Sequence, residues 1–171
     1  MRLADLLSQQ ILTHWNLAPR PEVLVGYLSD IPAGRLFDSI LYIDVLEHIE
    51  NDRRELEIAS RYLRPSGALA VLCPAHNFLF TEFDRAIGHH RRYNRQTLQA
   101  VGPEGLQLRS LFYLDSFGML LSIANRYILG SSSPTSRQIR IWDKEFVPVS
   151  RFLDPIINWR LGKTVVAIWE R

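Results

Sequence analysis

Two apolar runs joined by one charged helical segment constrain this chain more than any other feature. FDSILYI at residues 37–43 and ALAVLC at residues 68–73 are nearly continuous in apolar residues, with DRRELEIASRYL between them. Runs of this length without polar alternation suit strands covered on both faces, which belong mainly to parallel sheets. Parallel neighbours need a crossover, and the intervening segment supplies it. Leu56, Ala59, Tyr62 and Leu63 share one helical face, while Arg53, Arg54, Glu55 and Glu57 lie toward water. The result is a right-handed strand, helix, strand unit of an α/β fold. In open sheets of this kind ligands gather at the carboxyl ends of the strands. The first run is followed there by Asp44, Glu47 and His48, and the second by Pro74, Ala75 and His76.

The remaining sequence bounds the class. With 171 residues, 47% hydrophobic and 22% charged, the chain is expected to form one soluble domain over residues 1–171. The single cysteine, Cys73, sits inside an apolar run, which excludes a disulfide framework and a cysteine metal cage and points to a reducing, cytoplasmic setting. A net charge of +2 with no sustained basic face argues against nucleic acid as a partner. Leu3, Leu6, Leu7, Ile11 and Leu12 predict an amphipathic helix near residues 3–15 that resembles neither a signal peptide nor a membrane span.

Further along, VLVGYL reads as a strand, and residues 75–103 as an inserted cap with one or two short helices. LQLRSLFYL and GKTVVAIWER read as two strands that pair antiparallel, with a helical insertion over about residues 115–161 between them.

The series FDSILYIDVLEHI, LRPSGALAVLCPAH and GHHRRY resembles the second half of the class I, Rossmann-like S-adenosylmethionine-dependent methyltransferases, in their type 11/12-like group. The likeness extends over nearly the whole chain. It implies a truncated Rossmann-like methyltransferase sheet, largely parallel with an antiparallel C-terminal strand, with helices on both faces and a helical cap. It also implies S-adenosylmethionine as cofactor and a small-molecule or lipid-linked acceptor. By the same likeness Ile43, Asp44 and His48 abut the methionine part of the cofactor, and Leu28 or Asp30 stands where the family contacts adenine.

The departures from the family pattern carry their own expectations. A glycine-rich loop and a ribose-binding acid are absent and would belong before Met1, so cofactor binding is expected to be weak or absent. The two strands missing with them lie, in the family's sheet order, between VLVGYL and FDSILYI, so both would lose their shared neighbours and expose an apolar edge. Such an edge would be met by direct pairing with VLVGYL, by a homodimer, or by the remainder of a longer polypeptide. A non-catalytic, self-associating remnant is the alternative to an enzyme.

Three groups of residues are candidates for chemistry. Asp44, Glu47 and His48 have i, i+3, i+4 spacing, which lets all three reach one side of a helix. The segment is similar to that of some quinone-type O-methyltransferases, and that resemblance implies a divalent metal, magnesium, manganese or zinc, the competing reading being that Asp44 and Glu47 cap the helix and His48 packs under the cofactor. His76, His89 and His90 are candidate general bases for a substrate hydroxyl. Asp84, Arg91, Arg92 and Tyr93 are candidate substrate contacts, the competing reading being an ion pair from Asp84 to Arg91 or Arg92 that holds the cap closed. The aromatic stretch containing Phe117, Trp142, Phe152 and Trp159 suits packing on the sheet or peripheral membrane contact.

Overall fold

The computed structural model describes residues 26–32, 34–124 and 146–171. The chain divides into two compact units, Met1–Arg35 and Leu36–Arg171. In the first, Leu28–Asp30 form a single 3-10 turn in which the Asp30 carboxylate accepts from the Tyr27 backbone N–H at 2.7 Å. The helix expected near residues 3–15 and most of the VLVGYL strand lie outside the described residues.

The second unit is built on four strands, β1 (Phe37–Ile43), β2 (Leu63–Pro74), β3 (Gln107–Leu114) and β4 (Thr164–Glu170), in the order β1-β2-β4-β3. β1 and β2 are parallel, and β4 runs antiparallel to both β2 and β3. Three strands therefore point one way, and the C-terminal strand inserts between β2 and β3 in the opposite sense. Val165, Val166 and Ala167 are consecutive and all buried, so β4 is covered on both faces.

β1 departs from the expectation of a strand covered on both faces. Tyr42 is buried, but Leu41 and Ile43 on the opposite face are 64% and 56% exposed. Among the described residues β1 has one neighbour, β2, so the strand forms the sheet edge.

Helix α1 (Asp52–Arg61) makes the crossover from β1 to β2. Asn51 caps it by accepting from the Arg54 backbone N–H, acids occupy its first turn, and Leu56 and Ala59 are fully buried. β2 begins at Leu63, ahead of the apolar run, and carries Pro65, Ser66 and Gly67 as an irregularity: Phe37 pairs with Leu63, and Ser39 with Ala68. The backbone of Arg171 stabilises this irregularity, donating to Gly67 at 3.0 Å and accepting from Ser66 at 3.1 Å.

Among the described residues two short helices follow β2, α2 (Glu82–Ala86) and α3 (Arg95–Ala100), and two more lie between β3 and β4, α4 (Ser116–Ala124) and α5 (Val147–Ile156). Asp154 of α5 is buried and accepts from the Asp115 and Ser116 backbone N–H groups at 2.9 and 3.0 Å, capping α4 from a neighbouring helix. Residues 125–145, including Trp142, lie outside the described residues. No helix among the described residues is long and apolar enough to cross a membrane.

Candidate functional site

The parallel strands β1 and β2 end side by side, and both chains leave the sheet through left-handed residues. Asp44 has φ 50° and His76 has φ 65°, a region that few non-glycine residues enter, Asn, Asp and His more often than the rest. Asp44 stays tied to β2, its backbone N–H donating to the Leu72 carbonyl at 3.0 Å. Strain of this kind is held by surrounding structure and concentrates at functional edges. Ile43, Asp44 and His48 are all exposed at the end of β1.

After Asp44 the chain forms a 3-10 turn, Leu46–His48. The capping reading of Asp44 and Glu47 does not describe this turn, whose first position is Val45 with no side-chain cap. Glu47 is instead fully buried, and neither carboxylate oxygen accepts a hydrogen bond of normal geometry. Burial pushes its carboxyl above the ordinary range, and the nearby backbone N–H only partly offsets this.

The cap brings the second histidine to Glu47. His89 is nearly buried, with Nε2 3.7 Å from Glu47 Oε1 and Nδ1 3.0 Å from Asp84 Oδ1. Its ring meets the His48 ring edge-on at a centroid distance of 4.5 Å. The His90 backbone N–H donates to the Glu47 carbonyl at 2.8 Å and fixes the cap against this turn. Glu47, His48 and His89 thus offer ligand atoms within 4.8 Å of one another, a group in which His89 stands and Asp44 does not.

The substrate candidates are occupied by each other and by α1. Arg92 forks onto Asp84, Nε to Oδ1 and Nη2 to Oδ2, each at 2.9 Å. Arg91 donates to Asp52 Oδ2 at 2.6 Å and to the Glu50 carbonyl at 2.8 Å. The Tyr93 hydroxyl donates to the same Asp52 oxygen at 2.7 Å from a fully buried position. Asp52 is therefore a buried hub that the sequence reading placed only as the start of the helix. Arg92 Nη1 is buried without a hydrogen-bond partner. A shallow cleft of about 360 Å³ opens beside Arg91, Arg92, Asn77 and Thr97.

His76 occupies a different environment. Its ring stacks on Tyr113 at 4.9 Å, its backbone N–H donates to Tyr93, and its Nε2 is buried without a partner. Burial lowers its pKa, against a backbone contact with Gly162 that raises it, so the imidazole is neutral near pH 7. A neutral ring with a free nitrogen can accept a proton. A larger cleft, about 660 Å³, lies along β3 around Arg95, Phe112 and Trp159 and is lined by none of these histidines.

No family model matches the sequence, and no curated protein matches it. Solved structures do match in fold. A protein described as a sarcosine dimethylglycine methyltransferase from Galdieria sulphuraria aligns with TM-score 0.56 and 15% identity, over 99% of this chain and 67% of its own. The [4+2]-cyclase SpnF aligns with TM-score 0.55 and 16% identity, over 98% of this chain and 60% of its own. A methyltransferase in complex with the Trm112 methyltransferase activator of Haloferax volcanii aligns with TM-score 0.53 and 15% identity, over 86% of this chain and 59% of its own. The chain therefore has the class I, Rossmann-like methyltransferase fold, with its antiparallel C-terminal strand. It spans about 60% of the length of two of these structures and 67% of the third.

Proposed function

We propose that this chain is the cofactor-edge and cap portion of an S-adenosylmethionine-dependent methyltransferase, acting on an oxygen or nitrogen of a small-molecule or lipid-linked acceptor. The observation that carries the reading is the convergence, at the carboxyl ends of β1 and β2, of left-handed Asp44 and His76 with the cap that bears His89. Ile43, Asp44 and His48 would meet the methionine end of the cofactor. His76 is the favoured general base, because its neutral ring has an unpartnered Nε2, whereas His89 is held by Asp84. Methyl transfer would then rest mainly on proximity and orientation, with the base removing the acceptor proton as the methyl group is attacked. When bound, the cofactor supplies an electrophilic methyl group.

Cofactor binding by this chain is weak in this reading, since its sequence holds no Gly-x-Gly-x-Gly loop to let backbone approach the ligand. Calorimetric titration with S-adenosylhomocysteine tests it. Millimolar binding is expected, and micromolar binding would overturn the weak-site claim.

A second reading, a non-catalytic self-associating module, is favoured by one observation, the exposed apolar face of β1 at Leu41 and Ile43. SpnF, described as a cyclase, further shows that this fold does not by itself fix methyl transfer. Solution mass by light scattering separates the two, a concentration-dependent dimer abolished by Leu41→Lys supporting the module.

A further inference from the structure

Glu47, His48 and His89 place a carboxylate and two imidazoles around one point, and three features distinguish the group from an ordinary polar cluster. The ligand atoms already lie within 4.8 Å of one another, whereas a shared cation with bonds of about 2.0–2.1 Å needs them roughly 3.3 Å apart. Glu47 Oε1 and His89 Nε2 are 3.7 Å apart, so side-chain adjustments of an ångström or less close that side.

The second feature is that Glu47 is fully buried and both its oxygens lack hydrogen-bond partners. A buried carboxylate without hydrogen-bond partners is costly to keep ionised, and a bound cation offsets that cost. The third is the support behind His89. An ionised Asp84 can only accept, so the 3.0 Å contact assigns a proton to His89 Nδ1 and turns Nε2, the other ring nitrogen, toward Glu47. A metal-binding histidine characteristically donates its other N–H to a carboxylate in this way. Asp84 is itself fixed by the Arg92 fork.

We propose that Glu47, His48 and His89 bind a divalent transition cation of the zinc type, with Asp84 orienting His89 and a fourth coordination position open on the exposed His48 side. Two imidazoles and one carboxylate suit zinc, cobalt or nickel better than magnesium or calcium, which prefer oxygen ligands. The proposal does not depend on the methyltransferase reading, because it concerns metal binding alone.

The test is titration of the full chain, stripped with a chelator, with Zn²⁺ followed by calorimetry and with Co²⁺ followed by its visible absorption. One equivalent of Zn²⁺ and a Co²⁺ spectrum of four-coordinate intensity are expected. Glu47→Gln and His89→Ala should each weaken binding at least tenfold, and His90→Ala should leave it unchanged. His48 is exposed, so His48→Ala keeps the fold and must also weaken binding, which preserves the test if a buried variant fails to fold. Absence of stoichiometric binding, or equal affinity in wild type and His48→Ala, would overturn the proposal.

Discussion

Arg92 grips Asp84 with two nitrogens, each 2.9 Å from a different carboxylate oxygen, and both side chains are almost entirely buried. Breaking a buried pair from one side leaves an uncompensated charge, which costs about 3–5 kcal/mol. Arg92→Met should therefore lower unfolding stability by about that amount. Urea denaturation reads it as a reduced midpoint with an unchanged slope.

The same pair predicts how stability responds to acid. Burial alone would raise the Asp84 pKa, but hydrogen bonds from Arg92, then from the Thr81 backbone and hydroxyl, outweigh it and hold the carboxyl at about 2, below its usual 3.8. A depressed folded pKa adds stability above the unfolded value that is lost as pH falls through the folded one. The contribution should be fully present above about pH 5 and disappear between roughly pH 4 and 2, amounting to about 2 kcal/mol. Unfolding measured from pH 6 to 2 should show this slope, and Asp84→Asn should flatten it.

Arg91 and Tyr93 share a single oxygen of Asp52, at 2.6 and 2.7 Å. Tyr93→Phe removes one donor and leaves the other, so a loss of about 1–2 kcal/mol is expected. Asp52→Ala strands both donors and should cost more than Tyr93→Phe. Thermal denaturation of the two variants ranks them.

Gly162 is required by a close approach, since a Cβ there would lie 2.1 Å from the Leu114 carbonyl oxygen. Gly162→Ala should separate the start of β4 from β3 and destabilise the fold by more than about 2 kcal/mol. Hydrogen exchange at Tyr113 and Lys163, whose N–H groups donate to Trp159 and Asp115, should rise first.

Much of the sheet was legible because its signal is local. The apolar runs marked β1 and the core of β2, and the alternation in LQLRSLFYL marked β3. The bare face of β1 was not legible, since a continuous apolar run reports hydrophobicity and says nothing of which neighbour covers it. The candidate site divides in the same way. Helical spacing grouped Asp44 with Glu47 and His48, but the turn is 3-10 and Asp44 adopts φ 50° before it, while His89 arrives from 41 residues beyond His48. Residue spacing likewise could not separate Arg91 from Arg92. They lie in an extended segment where neighbours point opposite ways, one to Asp52 and the other to Asp84.

The central claim is that the end of β1 forms the cofactor edge of this fold. Its most direct test is a two-dimensional NMR titration of the labelled full chain with S-adenosylhomocysteine, following Ile43, Asp44 and His48, all exposed there. The account predicts shifts at these three residues, saturating only at millimolar ligand, with α5 unmoved. Saturation at micromolar ligand, or a titration that leaves residues 43–48 unchanged, would contradict it.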